Sequence, residues 1–317
     1  MRTSLTIAIP TFNGGKYISI AIQSILHQII SSQTLMSKTE IVVSDNASLD
    51  DVGEISKKYA AKYPNNIKYF KNKTNLGFDR NVDLAVQRSS GKFVWILSDD
   101  DFIEDGAIEY VQNVIENYID DSSALIHVYR QNTKHLKTEQ DGVCKDGNIF
   151  FLKTRFNTGL ISNNIVAKAI WQKSSVDQFF DSGWIHFGYA LEALSSLKGH
   201  TAYVISRELI RTGGEPRWGH EGTFIYTGLK LVEIFQRMPR LGYNKSIKKM
   251  ADFVIKGGYP KGIPIAKVEG LKVNLLLLKR FYALYRQYPS FWLIDLPLLL
   301  IPRMLYIPVV YLYRLTK

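Results

Sequence analysis

The 317-residue chain holds a single cysteine, Cys144. One thiol excludes an internal disulfide and any zinc site built from several thiolates, and a reducing compartment suits such a composition best. The glycine-rich signatures of common nucleotide folds are missing too. Neither "NLGFDRN" nor "GGEPRWGHEG" is a G-x-G-x-x-G following a strand, or a phosphate loop with its lysine and hydroxyl, so nicotinamide and ATP chemistry find no support. No serine sits in G-x-S-x-G, and Cys144 has no local nucleophile signature, which leaves covalent hydrolase chemistry unsupported. The short apolar run near the N-terminus is interrupted by Pro10 and Asn13, has no small-residue cleavage site after it, and does not read as a signal peptide. Acidic residues are scarce from 201 onward, where 7 Asp and Glu face 19 Lys and Arg; that half carries +12 of a total of +11, leaving residues 1–200 near neutral. Such a surplus suits anionic lipid, a phosphorylated ligand or nucleic acid. With no zinc finger or RNA-binding motif in the chain, a nucleic-acid partner is not expected.

What is present is ample apolar material, 46% hydrophobic and 12% aromatic, enough for one large domain or two modest ones. The first hundred residues alternate in character. "SLTIAIPTF" (4–12), "TEIVVSD" (39–45), "NIKYFKN" (66–72) and "KFVWILS" (92–98) are strand-like, and amphipathic stretches at 15–30, 52–64 and 78–91 separate them. Strand and helix in alternation predict a mostly parallel, doubly wound α/β sheet with its ligand at the carboxyl ends of the strands. Polar clusters fall at those ends: "PTFNGG", "SDNASLD" and "SDDD". Each alone is explained by helix capping and turn chemistry. Three at one sheet edge point to a site, and Asp99, Asp100 and Asp101 exceed what a cap needs. A hard cation such as Mn²⁺ or Mg²⁺, holding one or two carboxylates and the oxygens of a diphosphate, relieves their repulsion.

The motifs "IAIPTFNGGKYISIAIQSILHQ", "EIVVSDNASLDD" and "NLGFDRNVDLAVQRSSGKFVWILSDDD" resemble the nucleotide-sugar half of family-2 glycosyltransferases with a GT-A fold. The "LSDDD" variant is similar to abequosyltransferase-like enzymes of bacterial surface polysaccharide synthesis. The resemblance implies an α/β GT-A fold with an added helical, membrane-associating C-terminal region. It divides the chain into a nucleotide-sugar-binding half (1–110), an acceptor-binding half (111–225) and a basic, apolar helical region (226–317). It implies an inverting, metal-dependent transfer from a nucleoside-diphosphate sugar to a hydroxyl of a polyprenyl-diphosphate-linked oligosaccharide, in O-antigen or capsule synthesis. The alternatives are a non-catalytic sugar-nucleotide or polysaccharide-binding subunit, and a sugar nucleotidyltransferase; the latter expects a basic triphosphate loop, where "PTFNGGKY" offers only Lys16.

By the same resemblance, Pro10, Thr11 and Asn13 enclose the nucleobase, Asp45 accepts a hydrogen bond from it, and Asn46 and Ser48 follow in the same loop of the donor site. Asn75, Gly77, Arg80 and Asn81 match an N-x-G-x-x-x-N segment in which Arg80 offsets diphosphate charge, unless it only pairs with Asp79 or Asp83. Asp99 and Asp100 join the donor site, Asp101 or Asp99 holds the cation, and His220 returns from the C-terminal half to contact metal or diphosphate. Relatives carry a carboxylate base at a helix start, and "FFDSGWIHFGYALEALSSL" (179–197) is the matching region. It lacks the usual Glu-Asp pair, leaving Asp181 and His186 as base candidates, Asp181 also being a plain cap and Glu192 facing solvent. Ser162 and Asn163, in an expected strand over 159–168, and Trp218 are acceptor candidates.

"YPSFWLIDLPLLLIPRMLYIPVVYLYRLTK" (288–317) is the most apolar segment, yet Asp295, Pro297, Pro302, Arg303 and Pro308 break it into pieces too short to span a bilayer. With Trp292, Tyr306, Tyr311, Tyr313 and Arg314, and a basic stretch before it, the segment suits the headgroup layer of an anionic membrane. The expectation is a peripheral protein on the cytoplasmic face of the inner membrane. The competing reading is a helical pair packed on the protein's own core.

Overall fold

A computed structural model describes residues 3–133, 140–213, 224–257 and 262–315. The chain divides into two compact units, Met1–Gly214 and Glu215–Lys317. The boundary therefore falls at 214/215, and the two halves expected at 1–110 and 111–225 share one sheet.

The first unit begins with β1 (Leu5–Thr11), α1 (Gly15–Ile30), α2 (Gln33–Lys38), β2 (Thr39–Asp45), α3 (Val52–Lys62), β3 (Ile67–Lys71), α4 (Phe78–Arg88) and β4 (Phe93–Ile96). These four strands lie parallel in the order β3-β2-β1-β4. Apolar β-branched runs make β1 and β2 buried on both faces, as parallel strands between helix layers must be. Helix α1 turns Ile18, Ile22, Ile25, Leu26 and Ile29 onto that sheet, so its helical spacing is a core stripe.

The unit continues with β5 (Asp101–Ile103), α5 (Ala107–Asn117), β6 (Ser123–Arg130), β7 (Gly142–Cys144), α6 (Gly147–Thr154), β8 (Asn164–Ala167), α7 (Lys168–Lys173), α8 (Ile185–Ala193) and β9 (Thr201–Thr212). Strand β8 inserts antiparallel between β4 and β6, β9 runs parallel to β6, and β5 and β7 flank β9 antiparallel. The strand expected over 159–168 is only its last part. Residues Asn157–Gly159 and Ile161–Asn163 form two short 3₁₀ turns instead. The cause is local: Asn164 Nδ2 donates to the carbonyls of Thr158, Leu160 and Ile161, competing with the strand ladder.

The second unit holds α9 (Phe224–Phe235), α10 (Lys245–Gly257), α11 (Ile263–Val268), α12 (Leu275–Tyr285), a π-turn (Phe291–Asp295), α13 (Leu296–Leu300) and α14 (Arg303–Leu315). Among the described residues no single helix is long and apolar enough to cross a membrane; Phe291–Leu300 and Arg303–Leu315 pass that test only as a pair bent by 102°. Lys267 of α11 holds the bend. Its Nζ is bonded to the carbonyls of Leu299, at 2.6 Å, and Ile301, the chain end that α13 leaves open. Phe291, Leu299, Tyr306 and Val310 are buried along one stripe of this segment.

Gly91, just before β4, is fixed by a close approach. A Cβ there would meet the backbone nitrogen of Thr6 at 2.6 Å, and the Gly91 N–H donates to Thr6 Oγ1. Gly91→Ala should therefore destabilise the first unit by about 1–3 kcal/mol through overpacking against β1, read as a lower denaturant midpoint at unchanged slope.

Candidate active site

The carboxyl ends of β1, β2 and β4 bring the three polar clusters together. Thr11 Oγ1 donates to Asp99 Oδ2 at 2.5 Å, joining the first and third. Gly14 makes that approach possible, because a Cβ on residue 14 would lie 2.0 Å from the same oxygen.

The three aspartates turn three ways. Asp99 is buried and engaged with Thr11. Asp101 is buried, accepts from Ser162 Oγ at 2.6 Å, and has its carboxyl pushed up to about 6 by desolvation, with the neighbouring Asp100 adding to the rise. Asp100 is half-buried and is bonded to Ser98 Oγ. The two expected cation candidates, Asp99 and Asp101, are thus turned inward onto hydroxyl donors, and Asp100 is the most accessible of the three. Ser162 also accepts from the Ser98 N–H, at 3.0 Å. Ser162 and Asn163, expected to meet an acceptor, are instead interior residues of a 3₁₀ turn, Ser162 steadying the aspartates and Asn163 bonded to Asn157.

The loop after β2 is equally committed. Asp45 is fully buried, accepting from the Ser48 N–H and, at 2.7 Å, from Tyr69 Oη. Its carboxylate anchors the turn and raises the Tyr69 hydroxyl pKa, burial being the larger cause. Asn46 donates to Asn75 Oδ1 and accepts from the Leu76 N–H, which fixes the loop leading to Gly77, where φ is +84°. Asn81 holds Ser44 and Asn72 from inside. Asn13 and Ser48 link the first two loops, since the Asn13 N–H donates to Ser48 Oγ and Asn13 Oδ1 accepts from the Leu49 N–H, both at 2.9 Å. Beside these bonds Phe12 and Leu49 are exposed apolar side chains, which no polar motif had singled out. Pro10, opposite Ser44 in the β1–β2 register, is half-buried.

Across from these loops, Arg80 neither pairs with Asp83 nor stands free. It grips Asp181 with both guanidinium nitrogens, at 2.5 and 3.1 Å, and lies over the Phe180 ring. Asp181 has φ +63° and a largely exposed carboxylate. His186 is buried; its Nε2–H donates to the Gly159 carbonyl, and Nδ1 has no hydrogen-bond partner. Desolvation pushes its imidazole down to about 4. Of the two base candidates, then, Asp181 alone reaches solvent. His220 and Trp218 lie outside the described residues.

No group of three or more His, Cys, Asp or Glu among the described residues forms a metal cage. A Mg²⁺- or Mn²⁺-type site needs only one or two protein carboxylates, the remainder being water and phosphate oxygens. One accessible carboxylate at a sheet edge, Asp100, fits that requirement.

A sequence profile described as Glycosyl transferase family 2 matches residues 6–180. The abequosyltransferase RfbV of Salmonella typhimurium is 24% identical over 230 residues, 67% of each chain. The GalNAc(5)-diNAcBac-PP-undecaprenol β-1,3-glucosyltransferase of Campylobacter jejuni is 26% identical over 261 residues, 77% of this chain and 78% of that one. In fold, the chain matches S. aureus TarS in complex with UDP with a TM-score of 0.63 at 17% identity, covering 88% of this chain and 78% of that one. It matches the Pyrobaculum calidifontis mannosyltransferase PcManGT, in complex with GDP-Man and Mn²⁺, with a TM-score of 0.57 at 17% identity, covering 94% and 85%.

The buried imidazole makes stability pH-dependent. The folded-state pKa of His186, about 4, lies below its unfolded value near 6.5, so the unfolded chain binds the proton first as pH falls. Stability is complete above pH ~6.5 and declines down to pH ~4, by about 3 kcal/mol at the lower end. Denaturation midpoints at pH 7.5, 6 and 4.5 should show this fall, and His186→Gln should reduce it.

Proposed function

Because the chain belongs to glycosyl transferase family 2, we propose that it moves one sugar, with inversion, from a nucleoside diphosphate to a hydroxyl of a polyprenyl-diphosphate-linked oligosaccharide. The observation that carries this reading is the meeting of three loops at one sheet edge with Asp100 accessible among them. Phe12 and Leu49 flank the joined first and second loops, where an aromatic base finds apolar surface. Asp45, with its oxygens committed, holds the second loop from behind. Mn²⁺ or Mg²⁺, when bound, offsets the charge of the leaving diphosphate, and Asp100 is the residue that would hold it. Asp181 takes the proton of the attacking hydroxyl. Arg80, exposed at α4's start, shifts its charge from Asp181 to the diphosphate as the donor enters, which leaves Asp181 free to act. A single displacement from the opposite face inverts the anomeric carbon. The Campylobacter relative, whose acceptor name includes a polyprenyl diphosphate, supports the lipid-linked acceptor.

We further propose that the second unit meets an anionic membrane, at the cytoplasmic face of the inner membrane. Residues 291–315 contain only three charged side chains: Asp295 is buried, Arg303 bonds the Val268 carbonyl and Arg314 pairs with Glu269. Trp292, Leu293, Ile294, Met304, Leu305, Val309 and Leu312 are at least half exposed. Net positive charge throughout this half favours lipid over a neutral partner.

Thermal-shift and turnover measurements with UDP-, GDP-, CDP- and dTDP-sugars, with and without Mn²⁺, test the reaction. One nucleotide class should stabilise the protein and be turned over, and Asp100→Asn should lower metal-dependent turnover by ~10²-fold or more without loss of fold. Wild-type protein that turns over none of these donors overturns the reading. For the membrane, Leu293→Glu with Met304→Glu and Leu312→Glu should abolish co-sedimentation with anionic vesicles while melting and turnover of free donor stay unchanged. Equal sedimentation of variant and wild type removes that face from the contact.

A further inference from the structure

Asp79 is 2% exposed and sits in the first turn of α4, one residue before Arg80. A buried carboxylate needs donors, and these come from about a hundred residues away. The Gly183 N–H donates to Oδ2 at 2.8 Å, the Ile185 N–H to Oδ1 at 3.1 Å, and the Ser182 N–H also reaches the carboxylate. These are the turn entering α8 and the first residue of that helix. Trp184 at the N-cap makes no side-chain cap, and the first turn of α8 holds no acidic residue. Asp79 therefore supplies from another helix the negative charge and acceptors that an N-terminus ordinarily receives from its own sequence. The turn it holds is conformationally demanding, with φ of +63° at Asp181 and +79° at Gly183, and Ser182 Oγ bridges the Phe179 carbonyl to the Trp184 N–H. Arg80 then takes the Asp181 carboxylate itself.

We propose that Asp79 is a positioning residue of the transfer reaction, fixing the 181–185 turn from α4 so that the Asp181 carboxylate stands where an acceptor hydroxyl is deprotonated. The proposal rests on the reading of Asp181 as the base. It adds that α4, whose entry Gly77 and Asn46 set on the donor side, also sets the acceptor side. One helix start therefore aligns the two substrates. Displacement of a base by about 1 Å costs on the order of 10²-fold in rate, so the turn's anchor is felt in turnover more than in donor affinity.

The test is a double-substitution cycle on the full chain, read as release of nucleoside diphosphate from the UDP-, GDP-, CDP- and dTDP-sugars of the donor panel. Asp79→Asn should lower kcat by ~10²-fold with donor KM unchanged, and amide exchange should quicken at 181–186 alone. In an Asp181→Asn background the same substitution should lower kcat no further, since the group it positions is gone. An equal fall in both backgrounds, or an Asp79→Asn protein with wild-type kcat and wild-type exchange, overturns the proposal. If Asp181→Asn alone keeps wild-type turnover, the base assignment fails and the positioning role with it, while the transferase reading stands. If the wild type turns over no donor, that reading fails, and unchanged exchange at 181–186 in Asp79→Asn then disposes of the anchor as well.

Discussion

The hydrogen bond from Thr11 to Asp99 depends on a register. Ala8 lies opposite Ile96 across the parallel β1–β4 pair, and three residues further along each chain the hydroxyl and the carboxylate meet. A slip by one residue would reverse every side chain on β4, taking Phe93 and Trp95 off the face they fill and Asp99 away from Gly14. The core and the site are thus set by the same pairing. Trp95 makes the link explicit, because its buried ring donates through Nε1 to the Ser162 carbonyl, and Ser162 in turn steadies Asp101 and Ser98.

Around that pairing, most polar side chains of the three loops are bonded to one another. Asp45, Asn46, Ser48, Asn72 and Asn81 each hold backbone or a neighbouring side chain, which makes the loops rigid before any ligand arrives. Rigidity of this sort is what catalysis by placement requires, since a loop already in position needs no reorganisation when charge develops. Among the groups that reach the surface there are Phe12, Leu49, Asp100, Arg80 and Asp181.

Alternation of strands and helices was legible in the first hundred residues because parallel strands buried on both faces are apolar throughout, as in "TEIVVSD" and "KFVWILS". The site's location followed from the strand ends. Individual roles were not legible, for a physical reason: a sequence shows residue types, while direction is set by partners distant in the chain. Asp99 and Asp101 look equivalent to Asp100 until Thr11 and Ser162 draw them inward. Asp79 gave no signal except as a rival partner for Arg80, since its donors lie in a turn whose approach to α4 only the fold reveals. The strand expected over 159–168 failed because asparagines bonding nearby carbonyls mimic polar positions of a strand until they are seen to close turns.

The ammonium of Lys267 lies buried among the open carbonyls of Leu299 and Ile301 at the corner between α13 and α14. The corner's angle is therefore written on a different helix from the two it joins. Exchange of the outward apolar residues with one another, Leu for Met or Ile for Val, leaves the Lys267 bonds intact. Constraint falls instead on Lys267, 32 residues before Leu299, together with Arg303, which bonds the Val268 carbonyl of α11; in sequence alone each resembles any other basic residue of a basic protein.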